Sequence, residues 1–389
     1  MTAMPRVVFG LQGFQQQGYL ADATLDASLS FVRAMAKHRR DMVAGLSVDP
    51  AVDASWLTEL LPAGLPILSD GEVQAIEDPL VFHALSLLAG RSAQQLWPLW
   101  ARAATVALAV SVHDDLTRQA LESSSDNPES RLSQSRHRLI RRADAVIATS
   151  HAGALDAIGC GRAHPEKVFV AHETVNSPCA SGTEADPPRI DGFNTAGDFV
   201  LSPACASSSM HTENIVRAFT AITSQVPGGP QLLLAAKKGG SFDPKTVADL
   251  DTGTRGRVIV ATGMAERELR WLYRSCLITA IGGVDGGSAA AAIEAAAYGS
   301  GVVAADHDAL LELIPEPDAR FYPMSVESIT SVLRRCLTDR EFCRARREET
   351  ARGFAHYSEE GAAEALALAY RRAAAGRPRR RLPESAASL

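Results

Sequence analysis

Residues 281–306 read IGGVDGGSAAAAIEAAAYGSGVVAAD. The pattern predicts a strand at Leu277–Ile281, a glycine-rich turn, an alanine-rich helix and a second strand at Val302–Ala305. Glycines at such a turn let a ligand approach the backbone, and the N–H groups that start the helix favour an anion, most often phosphate. Ser288 suits the N-cap of this helix. A buried Glu294 would need a partner, and ligand hydroxyls are one kind. An ordinary crossover with a surface glutamate is the alternative.

Short apolar runs alternate with helical patterns along the rest of the chain, which predicts parallel sheets covered on both faces by helices. The other candidate strands are Val7–Leu11, Met42–Leu46, Pro66–Leu68, Thr105–Val112, Ala143–Thr149, Val168–Ala171, Phe199–Leu201, Leu232–Ala235 and Val258–Ala261. Two domains are expected for a chain of 389 residues. The segment 177–196 is rich in Pro, Gly and Asp without a period, which indicates a linker.

The predicted first domain is therefore 1–185 and the second is 186–376, and both are Rossmann-like. A final helix over Glu359–Arg372 is expected to cross back to the first domain, because its apolar residues recur at helical spacing and Ser358 can cap it. Residues 377–389 form a basic tail that is predicted to be flexible.

Composition excludes several classes of protein. The chain is 46% hydrophobic and 22% charged, with a net charge of −6, which does not suit a nucleic-acid binder. It has no apolar run of about 18 residues and no signal-peptide pattern, and its six cysteines form no CxxC pair. We expect a cytoplasmic protein with reduced thiols. The arginines of 131–142 are interpreted as a solvated helix face, with peripheral contact to the inner face of the membrane as the alternative.

Six motifs, in order and at suitable spacing, resemble those of retaining GT-B glycosyltransferases of family four. They are Leu11–Gly18, Val112–Asp115, Arg141–Ser150, His164–Val170, Thr212–Phe219 and Arg267–Tyr273. The resemblance covers roughly residues 5–375 and implies the GT-B fold, in which two Rossmann-like domains face a central cleft. It also implies metal-independent transfer of a sugar from a nucleotide-sugar, a co-substrate, to a glycan, lipid-linked or small-molecule acceptor, as in polysaccharide biosynthesis. No cofactor is implied.

The same resemblance assigns the site residues. His113 and Asp285 are the expected catalytic residues, and the donor is expected to contact Gly18, Gly286, Gly287, Ser288, Glu294, Lys237 and Lys238. The cleft should contain His113, Gly18 and Glu294. A structural histidine bonded to Asp114 or Asp115 is the alternative for His113, and solvated surface lysines are the alternative for Lys237 and Lys238.

The chain departs from the family's pattern in its donor site. The family places two glutamates seven residues apart; Glu294 matches the second, whereas Asp285 can replace the first only with a one-residue insertion. The family also uses an arginine and a lysine against the donor diphosphate, and 199–214 contains neither, so Lys237 and Lys238 are the candidate substitutes. A degenerate member that binds or stabilises a partner transferase is therefore the second hypothesis. A nucleotide-sugar epimerase of similar fold is the third, and the motif order disfavours it.

Overall fold

The computed structural model of the protein describes residues 4–12, 23–50, 57–62, 64–77, 79–85, 97–113, 128–175, 186–203, 211–223, 229–237, 243–248, 250, 254, 256–284 and 286–378. The chain divides into two compact units. Of the described residues, the first unit contains 4–12, 24–174 and the chain from Glu359 onwards, and the second contains Ala23 and 175–358. The described part of the predicted linker, 186–196, thus belongs to the second unit.

The first unit is built on one parallel sheet. Its strands are β1 (Arg6–Gly10), β2 (Val43–Ser47), β3 (Leu80–Ala84), β4 (Val106–Val112), β5 (Ala145–Ala148) and β6 (Val168–Val170). Its α-helices are α1 (Ala23–His38), α2 (Leu57–Leu60), α3 (Asp70–Gln74), α4 (Pro128–Arg142), α5 (His151–Gly159) and, from the end of the chain, the final helix Glu359–Ala375. The strand order is β2-β1-β3-β4-β5-β6, and β3, β4 and β5 are buried along their whole length, as is typical of strands covered on both faces.

The final helix completes one face of this sheet. Leu366 and Tyr370 are fully buried there against α1 and the strands. Tyr370 also reaches a polar group inside the sheet, because its hydroxyl lies 2.7 Å from Nδ1 of His83 on β3. Nε2 of the same ring lies 2.7 Å from the hydroxyl of Ser111 on β4. Burial, with the nearby His113 as a smaller cause, lowers the pKa of His83 to about 3, so this ring is a neutral structural group.

The second unit is also built on one parallel sheet of six strands. They are β7 (Phe199–Pro203), β8 (Gln231–Lys237), β9 (Val258–Met264), β10 (Ile278–Ile281), β11 (Val302–Ala305) and β12 (Arg320–Phe321). Its α-helices are α6 (Thr212–Thr223), α7 (Glu266–Ser275), α8 (Gly286–Ala297), α9 (Asp308–Leu311), α10 (Val326–Thr338) and α11 (Arg340–Phe354), and the final helix of the chain is α12. The strand order is β12-β11-β10-β7-β8-β9, which places β7 between β10 and β8.

Every predicted strand except Pro66–Leu68 overlaps an observed one. Pro66–Leu68 forms only an isolated bridge from Ile67 to Leu46, because Pro66 lacks an N–H and Ser69 already caps α3. The strand that the prediction missed is β3, whose apolar run is interrupted by the buried His83. The short β12 was also missed.

The predicted N-cap at Ser288 is wrong. Helix α8 begins at Gly286, so Ser288 lies inside its first turn, where it is fully buried. The two glycines adopt helical geometry, which moves the start of the helix towards the strand. Among the described residues, no helix combines the length and the apolar composition that a membrane span requires.

Candidate functional site

The second unit brings Glu294 and Lys237 together, although they are distant in the sequence. Lys237 is the last residue of β8, at the carboxyl edge of the sheet where ligands bind in folds of this class. Glu294 lies on α8, the helix that follows β10, and is 7% exposed. The Lys237 Nζ lies 3.0 Å from Glu294 Oε1. The carboxylate is thus withdrawn from water but has a cationic partner, as a buried charge requires.

The other carboxylate oxygen of Glu294 faces a tyrosine. The hydroxyl of Tyr273, on α7, donates to Oε2 over 3.4 Å. Burial, followed by the negative charge of Glu294, raises the pKa of Tyr273 well above its usual value, so the phenol stays protonated and remains a donor. The ring of Tyr273 stacks on Tyr298 at 5.8 Å between centroids, and the Tyr298 hydroxyl donates to Glu266 over 3.1 Å. This packing fixes the orientation of the tyrosine that contacts Glu294.

The glycine-rich turn joins β10 to α8 at the same edge of the sheet. Gly282 and Gly283 are buried, and Gly286 and Gly287 are the first residues of a helix of 12 residues. A helix of that length presents free N–H groups and partial positive charge at its start. The predicted catalytic Asp285 and the predicted diphosphate partner Lys238 lie outside the described residues.

The first unit places His113 directly after the carboxyl end of β4. The side chain is buried, with Nδ1 3.2 Å from Glu173 Oε1 and Nε2 3.3 Å from the carbonyl oxygen of Leu85. Leu85 follows β3 and Glu173 follows β6, so three strand ends supply this cluster. Both partners are acceptors, so a ring nitrogen that carries a hydrogen can donate to the partner it faces.

The structure describes only some of the site residues that the sequence predicted in the first unit. Gly18 lies outside the described residues, as do Asp114 and Asp115, the alternative structural partners of His113. Glu173 itself was not predicted, although a polar residue shortly after a strand of a parallel sheet is a usable signal. Tyr273 was also missed, because at helical spacing from Leu269 it reads as a core residue.

No known family model and no curated protein sequence matches this chain. Similar solved structures do exist. HepE from Anabaena in complex with UDP has a TM-score of 0.67 at 17% identity, over 93% of this chain and 98% of that one. HepE in complex with UDP-glucose has a TM-score of 0.65 at 16% identity, over 94% of this chain and 99% of that one.

A sucrose-phosphate synthase from Thermosynechococcus elongatus is also similar, with a TM-score of 0.62 at 16% identity over 95% of this chain and 98% of that one. These likenesses extend over nearly the whole of each chain. Together with the two six-stranded parallel sheets, they show that this chain has the GT-B fold, as the sequence predicted.

Proposed function

We propose that this chain transfers a sugar from a nucleotide-sugar donor to a hydroxyl of a glycan, lipid-linked or small-molecule acceptor, with retention at the anomeric carbon. The observation that carries the proposal is Glu294, a buried carboxylate on the helix that follows the glycine-rich turn. The GT-B fold that the chain shares with HepE, which binds UDP and UDP-glucose, supports a donor of this class.

The donor roles follow from the second unit. Glu294 accepts hydrogen bonds from the ribose hydroxyls, which are charge-assisted and therefore strong. The N–H groups of Gly286, Gly287 and Ser288 at the start of α8 face the diphosphate. Lys237 holds the carboxylate in the free protein, and Tyr273 keeps it oriented. Lys238 adds positive charge towards the diphosphate.

The chemical step needs stabilisation of the departing diphosphate. We propose that the start of α8 and Lys238 supply it without a metal ion, because preorganised dipoles and cations stabilise the charge that develops in the transition state. Lys237 serves donor binding through Glu294, whose carboxylate it holds. His113 contacts the reacting sugar, and Glu173 fixes the orientation of its ring. Asp285, next to the start of α8 in the sequence, is the second proposed catalytic residue.

The test begins with a thermal-shift screen of nucleotide-sugars, in which at least one donor should raise the melting temperature. Calorimetry with that donor should show that Glu294→Ala weakens binding by roughly 10–100-fold, from the loss of a charge-assisted hydrogen bond worth about 1.5–3 kcal/mol. The control is Glu348→Ala, which removes an exposed carboxylate from α11 of the same unit. NMR of the product should show the anomeric configuration of the donor, and EDTA should leave the rate unchanged.

Three results would contradict the proposal. If no nucleotide-sugar binds, the chain is better explained as a non-catalytic partner protein. If transfer occurs and Glu294→Ala matches the wild type, the donor site is wrongly assigned. If the product has the inverted configuration, the retaining mechanism is wrong.

A further inference from the structure

A cavity of about 310 Å³ lies on the first unit, away from the residues discussed so far. Its described walls are Trp97, Arg102, Ser135, Arg138, Leu139 and Arg142. The first two belong to the segment around the 3-10 helix Leu99–Arg102, and the other four belong to α4. The volume is at the lower end of the range for small-molecule sites, which is roughly 300–1,000 Å³.

The cavity lies at the amino edge of the sheet. The 3-10 helix leads into the start of β4, and α4 ends at Arg142, just before the start of β5. His113 follows the opposite end of β4, and a strand of 7 residues extends about 20 Å. The cavity is therefore separate from the proposed catalytic residue of this unit.

Three of the residues that line the cavity are cationic. Arg102, Arg138 and Arg142 are exposed, and none of them forms an ion pair with another described residue. The guanidinium of Arg102 lies 5.7 Å from the ring centroid of Trp97, and its Nε donates to the Trp97 carbonyl over 3.1 Å. In a chain whose net charge is −6, this is a local concentration of positive charge.

A structural role accounts for two of the three arginines. Arg142 lies in the last turn of α4, where a cation stabilises the helix dipole, and Arg102 contacts Trp97. Arg138 lies before that last turn and forms no ion pair with another described residue.

We propose that this cavity binds an organic phosphate, with the phosphate on the arginines and an apolar portion along Trp97 and Leu139. Guanidinium groups bind phosphate through paired hydrogen bonds, which suits three arginines around one small volume. Indole and leucine side chains give the apolar wall that inorganic phosphate alone would not need. The ligand can be a soluble phosphate ester or the phosphate of a lipid headgroup.

The test uses phenyl phosphate, with phenol as its uncharged counterpart. Calorimetry should show that phenyl phosphate binds the wild-type protein and that phenol binds at least about tenfold more weakly, because phenol lacks the phosphate that forms charge-assisted hydrogen bonds with the arginines. The double variant Arg138→Gln/Arg142→Gln should weaken phenyl phosphate binding about tenfold or more. The matched control is Arg371→Gln/Arg372→Gln, which removes two exposed arginines from α12 of the same unit.

Sedimentation with vesicles separates the two sources of phosphate. If the protein sediments with vesicles that contain phosphatidylglycerol but not with pure phosphatidylcholine vesicles, and Arg138→Gln/Arg142→Gln abolishes this sedimentation, the site binds a lipid headgroup. Phenyl phosphate binding without sedimentation assigns it to a soluble ligand. The proposal is overturned if the wild type binds neither probe, if phenol binds as well as phenyl phosphate, or if both double variants weaken binding equally. Equal melting temperatures of all variants exclude unfolding as the cause.

Discussion

Replacement of Lys237 by methionine tests how the second unit holds Glu294. The two side chains are 3.0 Å apart, but the glutamate side chain is 10% exposed and that of the lysine is 49% exposed. Exposed ion pairs contribute about 0–1 kcal/mol, whereas breaking a buried pair costs about 3–5 kcal/mol. A pair with one buried partner lies between these limits, at roughly 2 kcal/mol. Methionine keeps most of the apolar stem and removes only the charge.

The energy of this ion pair is the largest binding free energy that Lys237→Met can remove through its effect on Glu294. A loss of about 2 kcal/mol corresponds to roughly 30-fold in affinity. We expect Lys237→Met to weaken the binding of UDP and of uridine by a similar factor, at most roughly 30-fold, because both ligands carry the ribose that Glu294 is proposed to bind. The assay is calorimetry with each ligand, and Lys245→Met, an exposed lysine of the same unit, is the control.

The affinities of the variant for UDP and for uridine show which role Lys237 has. If UDP binding weakens while uridine binding is unchanged, Lys237 acts on the diphosphate and does not hold Glu294. The double variant with Glu294→Gln gives an independent check, since the two substitutions should be non-additive if they disrupt one interaction. Additive losses would refute the role of the ion pair.

Three further predictions follow from other contacts. Tyr273→Phe should weaken uridine binding by up to about tenfold, because Glu294 loses a long hydrogen bond from a neutral donor; an unchanged affinity by calorimetry would remove Tyr273 from the site. His113→Ala should lower kcat by roughly 10–100-fold with little change in donor affinity, and an effect on affinity alone in steady-state assays would contradict its contact with the reacting sugar. Tyr370→Phe should destabilise the first unit by about 1–3 kcal/mol, measured by denaturant unfolding, because it leaves a buried nitrogen of His83 without a partner.

The lowered pKa of His83 makes the free energy of unfolding of the first unit depend on pH. Its pKa in the folded protein is about 3, so the unfolded chain, in which the pKa is near 6.5, binds the proton more readily. The contribution of the neutral ring is complete above about pH 6.5 and is lost progressively as the pH falls towards 3. Unfolding midpoints measured across that range should decrease, and His83→Asn should reduce the slope.

The fold could be predicted because its signals are local. Continuous apolar runs such as Val302–Ala305 mark strands that are buried on both faces, and glycines mark the turns between them. The prediction failed where local signals mislead. Pro66–Leu68 has the composition of a strand but cannot donate at Pro66, whereas β3 contains a histidine whose partners, Ser111 and Tyr370, are far away in the sequence.

Within the proposed donor site, the burial of Glu294 was predictable from the sequence. The position of Glu294 after the glycine-rich turn indicated a buried carboxylate in need of a partner, and the structure gives it two protein partners. The choice of Lys237 and Tyr273 as those partners depends on the order of strands β10, β7 and β8, which no local pattern encodes. The same holds for Glu173, which reaches His113 from β6.

The return of α12 to the first unit has a consequence for synthesis on the ribosome. The sheet of that unit is complete once Val170 has been made, yet the helix that covers one of its faces is encoded after the whole of residues 175–358. At about 5–20 residues per second, that delay is roughly 10–40 s. During this interval the apolar surface that Leu366 and Tyr370 later cover is open to chaperones or to other nascent chains. Ribosome-bound chains that end before Glu359 should therefore bind holdase chaperones, and full-length released chains should not.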